Sequence, residues 1–366
     1  MQRGGLTLGV EEEYLVVDAA SGALVPQSGL VLAAAQQRLG DDVTGEVNLC
    51  QIEVATPVCR TLDEVRGHLT RLRRELAAAA AETGHAIVAA GTHPFSRWEN
   101  QQVDVSNDRY RRMVEHYQIV ARQQVICGCH VHVGVDDRDA AVAAMTRTRP
   151  WLPVLLALSA NSPFWQGLDT GYASYRFQVW QRWPTCGMPP PLTTRAEFDE
   201  LVQQLEAIDA VEDSTFLYWY VRPSARFPTL EFRPGDVCLT IDDAVALAGL
   251  VRALAWTALG ESDDVPPSGA VLDAAMWRAS RYGLAGSLVS PRGLAVRPAV
   301  EVVGELLDHV GAGLEAHGDT AEVSELVGAI MARGNGAQVQ RDAAASGAGV
   351  VARLLQETSP EVTPTR

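Results

Sequence analysis

The chain has no continuous apolar run long enough to cross a bilayer, and Met1 to Gly5 lead almost at once into an acidic stretch rather than a signal-peptide core. A cytoplasmic protein is expected. Positive charge is also short. Against 45 acids stand 30 basic residues, a formal charge of -15, which excludes nucleic acid and anionic membrane as main partners. Cysteine is sparse and scattered: six residues, at 50, 59, 127, 129, 186 and 238. Cys127-Gly128-Cys129 is not a CxxC pair, so reduced core thiols are expected rather than disulfides or a zinc knuckle. Neither GxxxxGK[ST] nor GxGxxG occurs, and Gly334-Asn335-Gly336-Ala337-Gln338 is not a P-loop. Any ATP must therefore be held by another kind of fold, with local arginines and metal ions meeting its phosphates.

What is present is apolar mass, 47% of 366 residues, ample for a large core, and acids in unusual places. Leu8 to Val17 is a run of strand formers interrupted by Glu11, Glu12 and Glu13. With period two, Glu11 and Glu13 share one face while Val10, Glu12, Tyr14 and Val16 share the other. Three acids in a row are ordinarily a solvated face. Here they break up Val, Tyr and Leu, where a buried carboxylate costs several kcal/mol unless paired or ligated. That context points to a metal.

Glu46 to Pro57 reads as a second strand carrying Glu53 among apolar neighbours. Glu46 lies at an odd separation from Glu53 and shares its face only if a bulge intervenes. Thr61 to Glu64 is a capping box opening a long helix with Leu62, Val65, Leu69, Leu72 and Leu76 at helical spacing, ending before Gly84. Its Arg71, Arg73 and Arg74 read as a solvated face. His85 to Gly91 is expected as a third strand, and Thr92 to Asn107 as a lid or substrate loop. Asn107 caps a helix expected to reach Gln124.

Val125 to Val135 reads as a strand with His130 and His132 on one face and Gly128 and Gly134 flanking them. A lone buried histidine usually just satisfies a hydrogen bond; two on one strand face with space around them fit a ligand, and with carboxylates nearby they favour Mg²⁺ or Mn²⁺ over zinc. Arg176 sits amid aromatics between Tyr172 and Trp183, either stacked on them or gripping a small carboxylate. Thr215–Val221 and Thr229–Arg233 are expected as paired strands, the second presenting Glu231 and Arg233 on one face, as an ion pair or as a metal ligand beside a phosphate-binding arginine. Thr194 to Glu197 and Thr240 open two further helices. After a Pro/Asp/Ser linker at Glu261 to Gly269 the remainder is expected to be helical, as far as a frayed tail from Ser359.

Together, Gly9-Val10-Glu11-Glu12-Glu13-Tyr14, Glu53-Val54-Ala55-Thr56-Pro57, Gly128-Cys129-His130-Val131-His132-Val133-Gly134, Tyr172 to Pro184 and Glu231-Phe232-Arg233-Pro234-Gly235-Asp236 resemble, in order, the carboxylate–amine ligases, also called glutamate–cysteine ligase type 2, of the glutamine synthetase-like group. The resemblance implies an α+β fold: a curved, mostly antiparallel six-stranded sheet forming the active-site face with helices on its outer side, one catalytic domain over residues 1–358. It implies ATP and Mg²⁺ (or Mn²⁺), an acyl-phosphate intermediate, and as partners a glutamate-like carboxylate and an amine, in a homo-oligomer. By motif position, Glu11, Glu13, Glu46, Glu53, His130 and Glu231 would be metal ligands, and Arg233 would contact the transferred phosphate. Gln124, His132 and Arg176 would lie toward the carboxylate substrate. His132 stands where glutamate–cysteine ligases carry an amide, so the carboxylate stays open. A dimetal hydrolase and a binding protein descended from the ligase fold are the alternatives.

Overall fold

The computed structural model describes residues 5–261 and 267–359. Its centre is β1 (Leu8–Asp18), the acid-bearing strand. Around it lie β2 (Val43–Gly45), β3 (Gln51–Ala55), β4 (His85–Val88) and β5 (Cys129–Gly134). A two-stranded hairpin, β6 (Phe164–Trp165) with β7 (Leu168–Asp169), stands apart, and β8 (Val221–Pro223) and β9 (Thr229–Phe232) complete the main sheet. The order is β2-β3-β1-β5-β9-β8, with β4 as a seventh strand on the lower half of β1, and every pairing in it is antiparallel. The expected six-stranded sheet is thus present as that path, with one strand added beside it.

β1 carries this arrangement because its upper and lower halves pair with different neighbours: Leu8 to Glu12 with β5 and Leu15 to Asp18 with β4, while Glu11 to Leu15 pair with β3. One sheet face packs on helices Leu62–Glu82 and Ile241–Ala258. Both open with the reciprocal Thr–acid capping box, at Thr61 with Glu64 and at Thr240 with Asp243. Ile241–Ala258 is buried nearly all round, consistent with a mostly apolar sequence after its first turn.

Several expectations needed revision. The stretch from Glu46 to Pro57 is not one strand, since β2 ends at Gly45 and β3 begins at Gln51, so the parity argument against Glu46 lapses. The helix after Asn107 runs Asp108–Tyr117 and breaks at Gln118, whose φ is 51°, before a short turn Ile119–Arg122. Of the expected Thr215–Val221 strand only Val221 pairs with β9, in a strand that runs on to Pro223. A hairpin, β10 (Ser287–Val289) with β11 (Val296–Pro298), interrupts the helical C-terminal part. Most of the linker (262–266) and of the tail (360–366) lies outside the described residues. Among the described residues no helix is long and apolar enough to cross a membrane.

Candidate active site

Antiparallel register turns the acid motifs into one band across the sheet. Glu13 is paired with Glu53, Glu11 with His130, His132 with Glu231, and Glu231 with Arg222. Because these positions share parity along their strands, their side chains share the face away from the long helices. They line a cavity of about 630 Å³. All ten residues singled out from the sequence, including Glu46, Gln124, Arg176 and Arg233, are on its wall.

Two donor clusters lie in the band. In one, oxygens of Glu13, Glu46 and Glu53 come within 4.8 Å of one another; in the other, atoms of Glu11, His132 and Glu231 do so. His130 stands between them, its Nδ1 3.3 Å from Glu11 Oε2 and its Nε2 3.9 Å from Glu13 Oε1. His132 Nε2 is 3.2 Å from Glu11 Oε1, and its Nδ1 is 2.9 Å from the Thr229 hydroxyl. The structure therefore gathers into the second cluster the histidine that the resemblance put toward the substrate, with the one it named as ligand beside both.

The electrostatics of the clusters differ. Burial, then the neighbouring Glu13, push the Glu46 carboxyl up to about 7, and burial with Glu11, Glu46 and Glu13 raises Glu53 well above the carboxylate range. These acids repel one another, and the charge of Arg233 offsets this only in part. Burial also opposes ionisation of Glu11 and Glu231. There it is outweighed, by His130 and His132 for Glu11 and by Arg233 and Arg222 for Glu231, so both are held below the usual range. Arg222 Nε donates to Glu231 Oε2 at 2.9 Å, and Arg233 donates to Oε1 of the same carboxylate. An all-carboxylate cluster whose repulsion is only partly offset, beside a carboxylate–imidazole cluster, is a donor set for hard divalent cations such as Mg²⁺ or Mn²⁺.

Beside the acids the cavity wall is cationic and aromatic. The Arg176 and Arg233 guanidinium carbons lie 5.1 and 5.8 Å from the Trp180 ring centre, so Arg176 is stacked as one of its two readings expected, and it also lines the cavity. Nε of each arginine is buried with no hydrogen-bond partner among the described residues, as are Gln124 Oε1 and Tyr218 Oη. The Gln124 amide is oriented by its nitrogen, which donates to the Val120 and Val179 carbonyls at 3.2 Å each, leaving the oxygen unpaired. Unpaired buried polar atoms on residues of a cavity wall are what a polar ligand would satisfy.

Arg222, Trp180, Tyr218 and Tyr110 also line this wall, and sequence reasoning did not single them out. Arg222 had a signal, since a hairpin through residues 224–228 sets it opposite Glu231. Tyr218 had none, because it reaches the cavity from irregular chain. The segment from Thr92 to Asn107 forms part of the rim through Asp104 and Asn107. Backbone bonds Leu49 N to Gln102 O (2.8 Å) and Asp104 N to Val47 O (2.9 Å) hold it in place.

This carboxylate band on an antiparallel sheet, with arginines beside it, lies on a fold known from solved ligases. The fold is shared by a glutamate–cysteine ligase from Francisella tularensis solved in complex with AMP, with a TM-score of 0.71 at 12% identity over 97% of this chain and 88% of that one. A bifunctional glutathione synthetase from Pasteurella multocida gives a TM-score of 0.70 at 18% identity, over 96% of this chain and 52% of that one. The chain belongs to glutamate–cysteine ligase family 2, which it matches over residues 7–357. A Rhodopirellula baltica protein with the provisional name glutamate–cysteine ligase 2 is 39% identical, covering 97% of each chain. A Saccharopolyspora erythraea protein provisionally named glutamate–cysteine ligase 2-2 is 45% identical over 98% of this chain and 94% of its own. The chain is thus a ligase by family, on a fold shared with solved ligases.

Proposed function

We propose that this ligase joins a carboxylate to an amine at the expense of ATP, through an acyl phosphate. The observation that carries the reading is a single cavity in which two cation-ready acid clusters face Arg233 and Arg176. Glu13, Glu46 and Glu53 would hold one divalent ion and Glu11, Glu231 and a histidine, His130 or His132, a second. When bound, such ions supply neutralisation of phosphate charge.

The chain's own residues would do the rest. Arg176 turns its unpaired Nε toward the carboxylate substrate, where a planar fork matches two oxygens. Arg233, fixed through Glu231, presents its unpaired Nε to the phosphoryl group in transfer. A carboxylate oxygen attacks the γ-phosphorus, the bond to the bridging oxygen breaks, and ADP leaves. The amine lone pair then attacks the acyl carbon, the bond to the phosphate oxygen breaks, and phosphate and a proton depart. The names of the relatives make L-glutamate and L-cysteine the first pair to test.

The test is ADP release by the purified protein with Mg²⁺ and ATP over a matrix of amino acids and amines, with mass spectrometry of the products. ADP formation that needs a particular carboxylate and yields a new amide is expected. Amide hydrolysis that proceeds without nucleotide would replace the ligase reading with a dimetal hydrolase.

A further inference from the structure

Asp236 follows Arg233 by three residues yet does not reach the acid band. It is fully buried on the far side of Arg176. Its Oδ2 accepts from the Asn161 backbone N–H and the Ser162 hydroxyl, both at 2.7 Å, and its Oδ1 accepts from the Ser174 hydroxyl at 2.7 Å. Arg176 Nη1 lies 3.9 Å from Oδ1 and donates to the Pro234 carbonyl at 3.3 Å.

Both serines then act on the same element. Ser174 is the N-cap of helix Tyr175–Trp180, its hydroxyl accepting from Phe177 N at 3.3 Å, and the Ser162 hydroxyl accepts from Arg176 N at 3.0 Å. A six-residue helix cannot hold itself together. This one carries Arg176 and Trp180, two walls of the cavity, and its first turn is pinned by two hydroxyls that one carboxylate orients. The surroundings make room for the arrangement. A Cβ on Gly91 would lie 2.8 Å from Asp236 Cγ, and one on Gly128 would collide with Arg176 Nη2.

The result is a guanidinium tied at one corner. Nη1 is occupied from behind by Pro234 and Asp236, whereas Nε is buried with no hydrogen-bond partner among the described residues, and Nη2 lies over Gly128 on the cavity face. The Nε–Nη2 edge is the one that meets a carboxylate with two parallel bonds. From this geometry we infer that Asp236 is a positioning residue for carboxylate binding. Through Ser162 and Ser174 it holds the helix that aims the Nε–Nη2 edge of Arg176 into the cavity. The inference rests on the reading above that Arg176 receives the substrate carboxylate.

Asp236→Asn removes the charge and keeps the shape, and Ser174→Ala removes one arm of the bracket if that variant fails to fold. Each is compared with wild type, Arg176→Ala and the Asp236→Asn/Arg176→Ala double variant. The readouts are ADP release with Mg²⁺-ATP, L-cysteine and L-glutamate as the carboxylate probe, and hydrogen exchange of the amides of residues 175–180. Asp236→Asn is expected to raise the KM for the carboxylate about tenfold with the KM for ATP nearly unchanged. The double variant should be no worse than Arg176→Ala, and exchange over residues 175–180 should accelerate. An unchanged carboxylate KM and unchanged exchange in Asp236→Asn, with Arg176→Ala impaired, would overturn the inference alone. An unimpaired Arg176→Ala would overturn the reading of Arg176 and with it the inference; the exchange data would then show only whether Asp236 braces the helix.

Discussion

Glu12 and Arg73 meet in the core with neither side chain exposed, Arg73 Nη2 2.5 Å from one carboxylate oxygen and Nε 3.0 Å from the other. The middle acid of the triplet thus faces away from the cavity and clamps the sheet to helix Leu62–Glu82. Tyr14 donates a further hydrogen bond to the same carboxylate, and Arg73 also donates to the Cys238 and Leu239 carbonyls. Arg73→Met strands a charge in the interior and should cost about 3–5 kcal/mol in urea unfolding. Adding Glu12→Gln should recover part of that loss, because the stranded charge goes with it. If the two losses simply summed, the pair would not be coupled.

The cluster of Glu13, Glu46 and Glu53 makes the opposite prediction about stability. Its carboxylates repel in the protein without divalent ions, so Glu53→Gln should stabilise that form by about 1 kcal/mol while abolishing ADP formation, the trade expected of a functional site. Mg²⁺ at about 100 times its Kd should stabilise the wild type by about 3 kcal/mol and the variant much less. Thermal melts with and without EDTA read both effects. Equal Mg²⁺ stabilisation of the two proteins would remove Glu53 from the ligand set.

How far this was readable beforehand differs by residue. The face of Glu11 and Glu13 followed from period two alone, the capping boxes at Thr61 and Thr194 formed, and Thr240 caps its helix as expected, with Asp243 completing a third box. Arg73 was misread because its neighbours Arg71 and Arg74 do pair at the surface, with Asp42 and Glu75. Only its helical phase relative to Leu69, Leu72 and Leu76 separated it from them. Glu46 joins the site from a turn between strands, and Tyr218 reaches the cavity from chain without regular structure; neither position has a period to betray it. Asp236 looked like the end of a motif, and its role depends on two serines more than sixty residues away.

His93 supplies a pH test away from the site. It is buried, with Nε2 2.9 Å from the Gly22 carbonyl and Nδ1 accepting from the Phe95 and Ser96 amides at 3.3 and 2.9 Å. Two donors at Nδ1 require the neutral ring, and burial pushes the pKa down to about 4. The unfolded chain, with an ordinary value of about 6.5, binds more protons between those limits, so stability falls as the pH drops through that window, by about 3 kcal/mol in all. His93→Asn should flatten this part of the profile. Urea midpoints at pH 7 and pH 4.5 compare the two, and an equal acid loss in both would show that His93 is not the group responsible.

Arg233 tests the chemistry itself. Every one of the 30 basic side chains is an arginine, so Arg233→Lys would place an ammonium where the chain otherwise uses only planar forks. In the structure one corner of that fork is spent on Glu231, while Nε, buried and unpaired, is left for the ligand. A lysine has one point charge and cannot do both at once. Ground-state ATP binding draws on many contacts, including any divalent ions, and should weaken little. The charge that develops during phosphoryl transfer has fewer donors, so kcat should fall by about 100-fold or more while the KM for ATP moves by only a few-fold. A variant with wild-type kcat and a raised KM for ATP would instead place Arg233 in nucleotide binding and leave the transferring group to another arginine, with Arg222, on the other side of the same carboxylate, the next to replace.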